Sequence, residues 1–324
     1  MKAVRVLPSA EGGLLEVQDI PAPTPGPNEV LIRVRASGIN YGEIIYMREH
    51  RSGNPMTAGV EFAGEVAAVG AQVTGWREGD RVMGHGRSCH AQYVVAAPLA
   101  LMPIPDGVSW VDAAAFPNVF ITAHDALVTN GELKAGESVL INGASGGVGM
   151  AAIMIASAMG AKPIMASSRS AEKLQRLAAF GVDVGINASK ESQVEAVMAA
   201  TDNRGADIII DFIGGSVLED HVQSLAVKGR LVNIARLSGE QYGRLDLRLL
   251  WLNRLKLIGV TFRTRTEQER LECIQACARD LLPFFREGKL RLPIDRTFKM
   301  DDIADAYAYI AKSQHMGKIV LIAD

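Results

Sequence analysis

Residues 141–149 read Ile-Asn-Gly-Ala-Ser-Gly-Gly-Val-Gly. They follow a short apolar run, Val139–Asn142, and open a helical stretch that continues to Met159. Small residues at such a junction let backbone N–H groups press against a pyrophosphate, and the helix N-terminus adds free donors and a partial positive charge. Ala144-Ser145-Gly146-Gly147-Val148-Gly149 fits G-x-G-x-x-G with Ala in the first place, and Gly149 would let the helix lie close to its sheet. The pattern is weak alone. It gains weight from its strand–turn–helix setting. The next strand ends Ala166-Ser167-Ser168-Arg169-Ser170. A dinucleotide without a 2′-phosphate usually meets Asp or Glu there, about 20 residues past the glycines. Here no carboxylate comes before Glu172, whereas Arg169 and Lys173 supply cations and Ser167 and Ser168 hydroxyls. A carboxylate repels a 2′-phosphate and a guanidinium attracts it. The expected cofactor is therefore NADPH rather than NADH.

Other reactive side chains are sparse. Three cysteines, Cys89, Cys273 and Cys277, make an odd number suited to a reducing cytosol. His85, Cys89 and His90 lie close in sequence, but a structural zinc takes four N/S ligands and a catalytic zinc three protein ligands. That stretch is expected to be a surface loop and no metal site is expected. Cys273 and Cys277 stand four apart on a helix and read as part of a buried face. His50 is an acid candidate near neutral pH, but reads as a surface residue.

The elements that must position these residues alternate. Val4–Val6, Glu29–Val34 and Glu61–Val69 read as strands, and Pro21–Pro27 as a stiff surface loop within one domain, a linker being the alternative. From Ser138 short apolar runs alternate with helical stretches: strands near 139–142, 163–166, 184–186, 207–211, 231–234 and 256–260, with helices between them. That alternation predicts an α/β fold with a doubly wound parallel Rossmann sheet. A helix over 267–286, another over 303–311 and a strand over 318–322 close the chain. The β-rich region and this return suggest one discontinuous domain, 1–117 with 262–324, around a nucleotide-binding domain at 118–261. The chain has 324 residues, 48% hydrophobic and 22% charged, with 34 Lys and Arg against 36 Asp and Glu. This is a soluble globular composition without a strong field for nucleic acid or an anionic membrane. No apolar run is long enough to span a bilayer, and Met1–Leu7 alternates like a strand, so a cytoplasmic protein is expected.

The same residues resemble the medium-chain dehydrogenase/reductase superfamily, in particular its zinc-free quinone oxidoreductase (ζ-crystallin-like) branch. Gly38-Ile-Asn40, Gly59-Val-Glu-Phe-Ala-Gly64-Glu-Val66, Gly79-Asp-Arg-Val82, Asp211-Phe-Ile-Gly-Gly215 and Gly317-Lys-Ile-Val-Leu321 occur in that branch's order around the glycine turn. The resemblance implies that the β-rich part is a GroES-like catalytic domain. It puts Asn40 where alcohol dehydrogenases of the superfamily carry a zinc-binding Cys, and Val60 where they carry a zinc-binding His. It places Asn40 beside the nicotinamide and substrate cleft. Tyr41, the next residue, is then a donor to a developing oxyanion or an aromatic lining of the pocket. Thr122, Asn233, Ala235, Phe262 and Arg263 are implied to touch or border the cofactor.

Without a Lewis acid an alkoxide loses its usual stabilisation, whereas conjugated acceptors delocalise charge and need less help. The function expected is an NADPH-dependent quinone oxidoreductase. The alternatives are an enone or enoyl-thioester reductase and an NADPH-binding protein with little turnover, such as a crystallin or redox sensor. Several enoyl reductases of the superfamily carry a proton-donating Tyr where Met47–Gly53 has none, which weakens that alternative and leaves solvent as a proton source. Partners are expected to be a small quinone or enone and, through an exposed edge strand at Lys256–Val260, a second copy of the chain.

Overall fold

The computed structural model describes residues 1–323, and strands form where β-branched and alternating apolar residues cluster. The chain opens with β1 (Lys2–Leu7), β2 (Leu14–Asp19), β3 (Val30–Ile39), α1 (Tyr41–Glu49), β4 (Met56–Thr57) and β5 (Glu61–Val69). It continues through β6 (Arg81–His85), β7 (Tyr93–Ala96), β8 (Leu101–Pro103), α2 (Trp110–Ala114) and α3 (Pro117–His124). The alternating run follows: β9 (Val139–Asn142), α4 (Gly147–Ala158), β10 (Ile164–Ser168), α5 (Ala171–Leu177), β11 (Val184–Asn187) and α6 (Gln193–Ala200). Next come β12 (Ala206–Asp211), α7 (Leu218–Ser224), β13 (Leu225–Asn233), α8 (Leu247–Leu252) and β14 (Lys256–Gly259). Last are α9 (Glu267–Arg286), β15 (Ile294–Lys299), α10 (Ile303–Ala311) and β16 (Lys318–Ile322).

Contacts divide the chain into two units. The first holds Met1–Val119, Ile274–Arg286 and the chain from Arg291 onward; the second holds Phe120–Cys273 and Glu287–Leu290. The expected border at 261/262 differs from the observed one at Cys273. The Arg265 guanidinium reaches the buried Asp125 carboxylate at 2.7 Å, which ties the entry of α9 to the second unit.

The first unit is a GroES-like β structure. One sheet runs β15-β16-β3-β5-β6-β8, and a second runs β2-β1-β4. Val30, Ile32 and Val34 turn inward with period two, as a half-buried strand requires. Along one edge of β3, β7 pairs with Val30–Arg33 and β16 with Ala36–Ile39. The other edge pairs with β5 from Val30 to Ala36, and Ser37, Gly38, Ile39 and Asn40 are all buried.

The second unit is a parallel Rossmann-like sheet in the order β11-β10-β9-β12-β13-β14. Leu140, Met165, Ile186, Ile209 and Leu231 pack with Val197 and Val222 in its core. β9 lies between β10 and β12, so the connections diverge at its carboxyl end, where open α/β sheets bind ligands. The hairpin partner β2, the short strands β6–β8 and helix α8 had too little periodicity to read from sequence. Helix α3 begins at Pro117 and is followed by a π-helical turn over Asp125–Asn130.

Candidate functional site

In the second unit, β9 delivers the chain into the glycine turn and Gly146 caps α4 in an extended conformation. No side chain caps this terminus, and its first turn holds no acidic residue, so the helix end faces outward with N–H donors and no competing charge. A Cβ on Gly146 would project into open space, whereas one on Gly149 would stand 2.7 Å from the Ala144 carbonyl oxygen. The first marks room for a ligand; the second is the close helix–strand approach that only glycine allows.

Behind the turn runs a row of polar strand ends. Ser167 of β10, Asn142 of β9, Asp211 of β12 and Asn233 of β13 are register partners on successive strands. The Ser167 hydroxyl donates to Asn142 Oδ1 at 2.8 Å, and Asn233 Nδ2 donates to Asp211 Oδ2 at 2.7 Å. His221 Nε2 lies 3.0 Å from Asn142 Nδ2 and 3.3 Å from Asp211 Oδ1. Burial pushes the Asp211 carboxyl up, but His221 and the backbone N–H groups of Gly214 and Ile213 outweigh it and hold the group below the usual carboxylate range. The row stitches four strand ends together beneath the turn.

The first unit contains a second polar centre, buried except at Asn118 and His85, which are half-buried. Lys318 Nζ, at the start of β16, donates to Glu61 Oε1 at 2.6 Å, Asn40 Oδ1 at 2.8 Å and the Ile39 carbonyl at 3.0 Å. Asn40 Nδ2 donates to Glu61 Oε1 at 2.8 Å and to Glu43 Oε1 at 3.2 Å. Glu43 Oε2 accepts from Tyr307 OH at 2.7 Å and pairs with His90 Nε2 at 2.9 Å, and His90 Nδ1 meets Ser37 Oγ at 2.8 Å. Asn118, at the start of α3, donates its backbone N–H to Glu61 Oε2 at 2.7 Å and its Nδ2 to Asn40 Oδ1 at 2.8 Å. Asn118 Oδ1 faces His85 Nε2 at 3.2 Å. Gly38 must lack a side chain, because a Cβ there would strike the Glu61 carboxylate.

Charge fixes the orientations in this centre. An ammonium group only donates, so the Asn40 atom facing Lys318 is its oxygen, and the amide nitrogen faces the two carboxylates. Both ends of the Asn40 amide are thus engaged. Burial raises the Glu43 carboxyl, yet the His90 charge and hydrogen bonds from His90, Tyr307 and Asn40 bring it below its ordinary value. Burial and the Glu43 charge push the Tyr307 hydroxyl well up, so it stays a donor. Cys89, pushed up by burial and by Glu43 and Glu61, stays a thiol. Cys89 and His90 are fully buried, not in a surface loop as expected, because His90 is inserted between Ser37 and Glu43.

The other expected site residues fall as follows. Tyr41 is exposed at the start of α1, and Thr122 is half-buried on α3. Ser145, Gly146, Gly147 and Val148 are half-buried around the α4 terminus, with Ala144 and Gly149 beneath. Ser168 and Lys173 are half-buried and Arg169 is exposed at the start of α5. Ser167 is buried with its proton spent on Asn142. Asn233 also donates to the Ala235 carbonyl at 2.9 Å, and Ala235 itself is half-buried. Phe262 is half-buried and Arg263 exposed. Sequence reasoning missed Glu43, Glu61, His85, Asn118, Tyr307 and Lys318. The one available signal, for Glu61, His85 and Lys318, was a polar residue at the end of a mostly apolar strand; Glu43, Asn118 and Tyr307 lie on helices and gave none.

Residues 26–121 match the family model described as the alcohol dehydrogenase GroES-like domain, and residues 147–277 match zinc-binding dehydrogenase. The bovine (Bos taurus) quinone oxidoreductase-like protein 2 is 30% identical over 301 residues, covering 91% of this chain and 85% of that one. The chain belongs to the quinone oxidoreductase-like family of medium-chain dehydrogenase/reductases. Among solved structures, the quinone oxidoreductase of Pseudomonas syringae pv. Tomato DC3000 superimposes with a TM-score of 0.87 at 27% identity over 99% of both chains. The CurK enoyl reductase superimposes with a TM-score of 0.83 at 27% identity, over 99% of this chain and 98% of that one. This member of the family is an oxidoreductase with a nucleotide-binding Rossmann unit. Among the described residues no helix is long and apolar enough to cross a membrane.

Proposed function

We propose that the protein transfers a hydride from NADPH to a quinone or similar conjugated carbonyl without a metal ion. The observation that carries this reading is Asn40. It stands where a zinc-binding Cys would stand in related alcohol dehydrogenases, and its amide is held at both ends by Lys318, Glu61, Glu43 and Asn118. Val60 replaces the second ligand, Cys89 is a buried thiol, and no three His, Cys, Asp or Glu side chains among the described residues are grouped to hold a metal. These residues do not fit zinc. An acceptor that spreads negative charge over a conjugated system suits such a site best.

The nucleotide fits. The uncapped α4 terminus, with open space before Gly146, suits a pyrophosphate. Arg169, Lys173 and Ser168 are proposed to grip the 2′-phosphate, with Ser167 acting from beneath through the sheet. Thr122, Asn233, Ala235, Phe262 and Arg263 are proposed to border the rest of the cofactor. NADPH, when bound, supplies the hydride. Asn40 acts as a positioning residue and Tyr41 as a donor or lining group for the acceptor.

Likeness to the CurK enoyl reductase favours a second reading, an NADPH-dependent enone or enoyl-thioester reductase. A homodimer is proposed through the edge strand β14, where Leu257 is exposed alongside Leu247, Trp251 and Leu252 of α8. NADPH oxidation measured with a small para-quinone, a cyclic enone, a 2-enoyl thioester and simple aldehydes tests these readings. The quinone is expected to turn over fastest. Fastest turnover of the thioester selects the second reading, and turnover of aldehydes alone refutes both. Tight NADPH binding with no turnover of any acceptor selects a binding protein instead.

A further inference from the structure

We infer that His221, buried beneath the carboxyl edge of the parallel sheet, positions the glycine turn for the nucleotide's pyrophosphate. The inference rests on the proposed nucleotide site and adds to it the side chain that holds the backbone cradle from below. His221 lies on α7 and is 0% exposed. Leu140 and Asn142 of β9 share one face by the strand's period of two, and Leu140 packs there with Val197 of α6 and Val222 of α7. The imidazole meets Asn142 on that face. Its Nε2 stands 3.0 Å from Asn142 Nδ2 and 3.3 Å from Asp211 Oδ1. Its Nδ1 lies 2.9 Å from Gln193 Nε2, at the start of α6. Both ring nitrogens are engaged, so the ring is fixed from two sides.

Two routes run from this ring to the glycine turn. The first follows β9. Asn142 is the last residue of the strand, and Gly143 follows it at the start of the turn. The other end of the Asn142 amide is held by Ser167 Oγ at 2.8 Å, and the Ala144 N–H donates to the Ser167 carbonyl at 3.1 Å. The second route crosses to β12. Asp211 Oδ1 accepts the backbone N–H of Ile213 at 2.8 Å and that of Gly214 at 3.1 Å, which curls the chain tightly as it leaves the strand. That curl backs onto Gly143. A Cβ on Gly143 would stand 3.2 Å from Ile213 Cδ1 and 3.4 Å from Phe212 Cβ. Gly143 itself has φ +74°, the left-handed region that suits glycine. The turn is therefore held along the chain by Asn142 and across the sheet by Ile213. His221 touches the first directly and reaches the second through Asp211.

A cradle of backbone N–H groups grips an anion only while those groups converge on it. No side chain caps α4, so the terminus has no fastening of its own and takes its position from the turn that leads into it. Without the imidazole, Asn142 and Asp211 lose the partner they share. The turn then gains freedom that a pyrophosphate must remove when it binds. The loss falls on the pyrophosphate. Arg169 and Ser168, proposed to meet the 2′-phosphate, stand on α5's approach and on β10 and are spared. His221 is a positioning residue, acting through the turn.

The test compares the wild-type protein with His221→Leu, His221→Gln and Gln193→Leu, measuring a melting curve and the dissociation constants of NADPH and 2′-AMP for each. 2′-AMP carries the 2′-phosphate and lacks the pyrophosphate. His221→Leu is expected to weaken NADPH about tenfold, the size of one lost hydrogen bond to a charged group, and to change 2′-AMP by less than about twofold. His221→Gln, whose amide can meet both Asn142 and Asp211, restores most of the NADPH affinity. Gln193→Leu, which frees only Nδ1, weakens NADPH about threefold, and it decides the matter if His221→Leu does not fold. A histidine that served stability alone would lower the melting temperature and move the two ligands together or not at all. If the variants bind NADPH as the wild type does, or lose both ligands equally, His221 does not position the turn, and the nucleotide reading survives. If the wild-type protein binds no NADPH, that reading fails and the inference falls with it.

Discussion

Replacing Lys318 with Met probes the buried centre most sharply. The ammonium is 3% exposed and makes three hydrogen bonds, at 2.6, 2.8 and 3.0 Å, to Glu61, Asn40 and the Ile39 carbonyl. Met preserves most of the volume, so the packing loss is small and the electrostatic change dominates. Glu61, at 0% exposure, would keep only the donors from Asn40 and Asn118 while carrying an uncompensated charge. Removing one partner of a buried pair costs about 3–5 kcal/mol, which corresponds to a melting-temperature decrease on the order of 10 °C for a domain of this size. Glu61→Gln alone leaves the ammonium uncompensated and has a comparable cost. In the double variant neither charge remains, so its loss should fall short of the summed single losses by about 2 kcal/mol or more. Calorimetry and urea titration of the four proteins measure this. If Lys318→Met costs under about 1 kcal/mol, or if the two losses simply add, the pair does not carry the energy its geometry indicates.

Three other perturbations follow from the two units. Arg169→Ala should weaken NADPH binding about fivefold while leaving NADH unchanged, because an exposed ion pair is worth only about 1 kcal/mol; fluorescence titration of both nucleotides checks it. Gly149→Ala sets a Cβ 2.7 Å from backbone at Ala144, which cannot give way as a side chain would, so stability should fall by about 1–3 kcal/mol together with nucleotide affinity. Folding lowers the Glu43 carboxyl, so its contribution is complete above the unfolded value of about 4.3 and is lost as pH falls through and below it. Acid titration should show that loss, and Glu43→Gln should flatten it.

The sequence displayed the second unit more fully than the first. Six apolar runs with helices between them specify a parallel sheet because its inner strands β9, β10, β12 and β13 are largely buried on both faces, and the glycine turn marks its head by composition alone. The strand ends Asn142, Ser167, Asp211 and Asn233 were visible as polar residues, but their union in one row depends on register, which no single strand encodes. The centre of the first unit was less legible. Lys318 meets Glu61 and Asn40 only because β16 returns to pair with β3, across more than 250 residues of chain. Asn40 was found through a family resemblance, yet that resemblance gave no sign that both ends of its amide are engaged. His85, Cys89 and His90 read as one loop; in three dimensions Cys89 and His90 are buried and His85 is half-buried at the end of β6.

Single-turnover mixing of the NADPH-loaded protein with a para-quinone tests the central claim most directly. The account predicts that bound NADPH is oxidised in one phase, stoichiometrically with quinone reduced, and that deuterium at the transferred position slows that phase. NADPH that fails to bind, or that is oxidised no faster than in free solution, would contradict it.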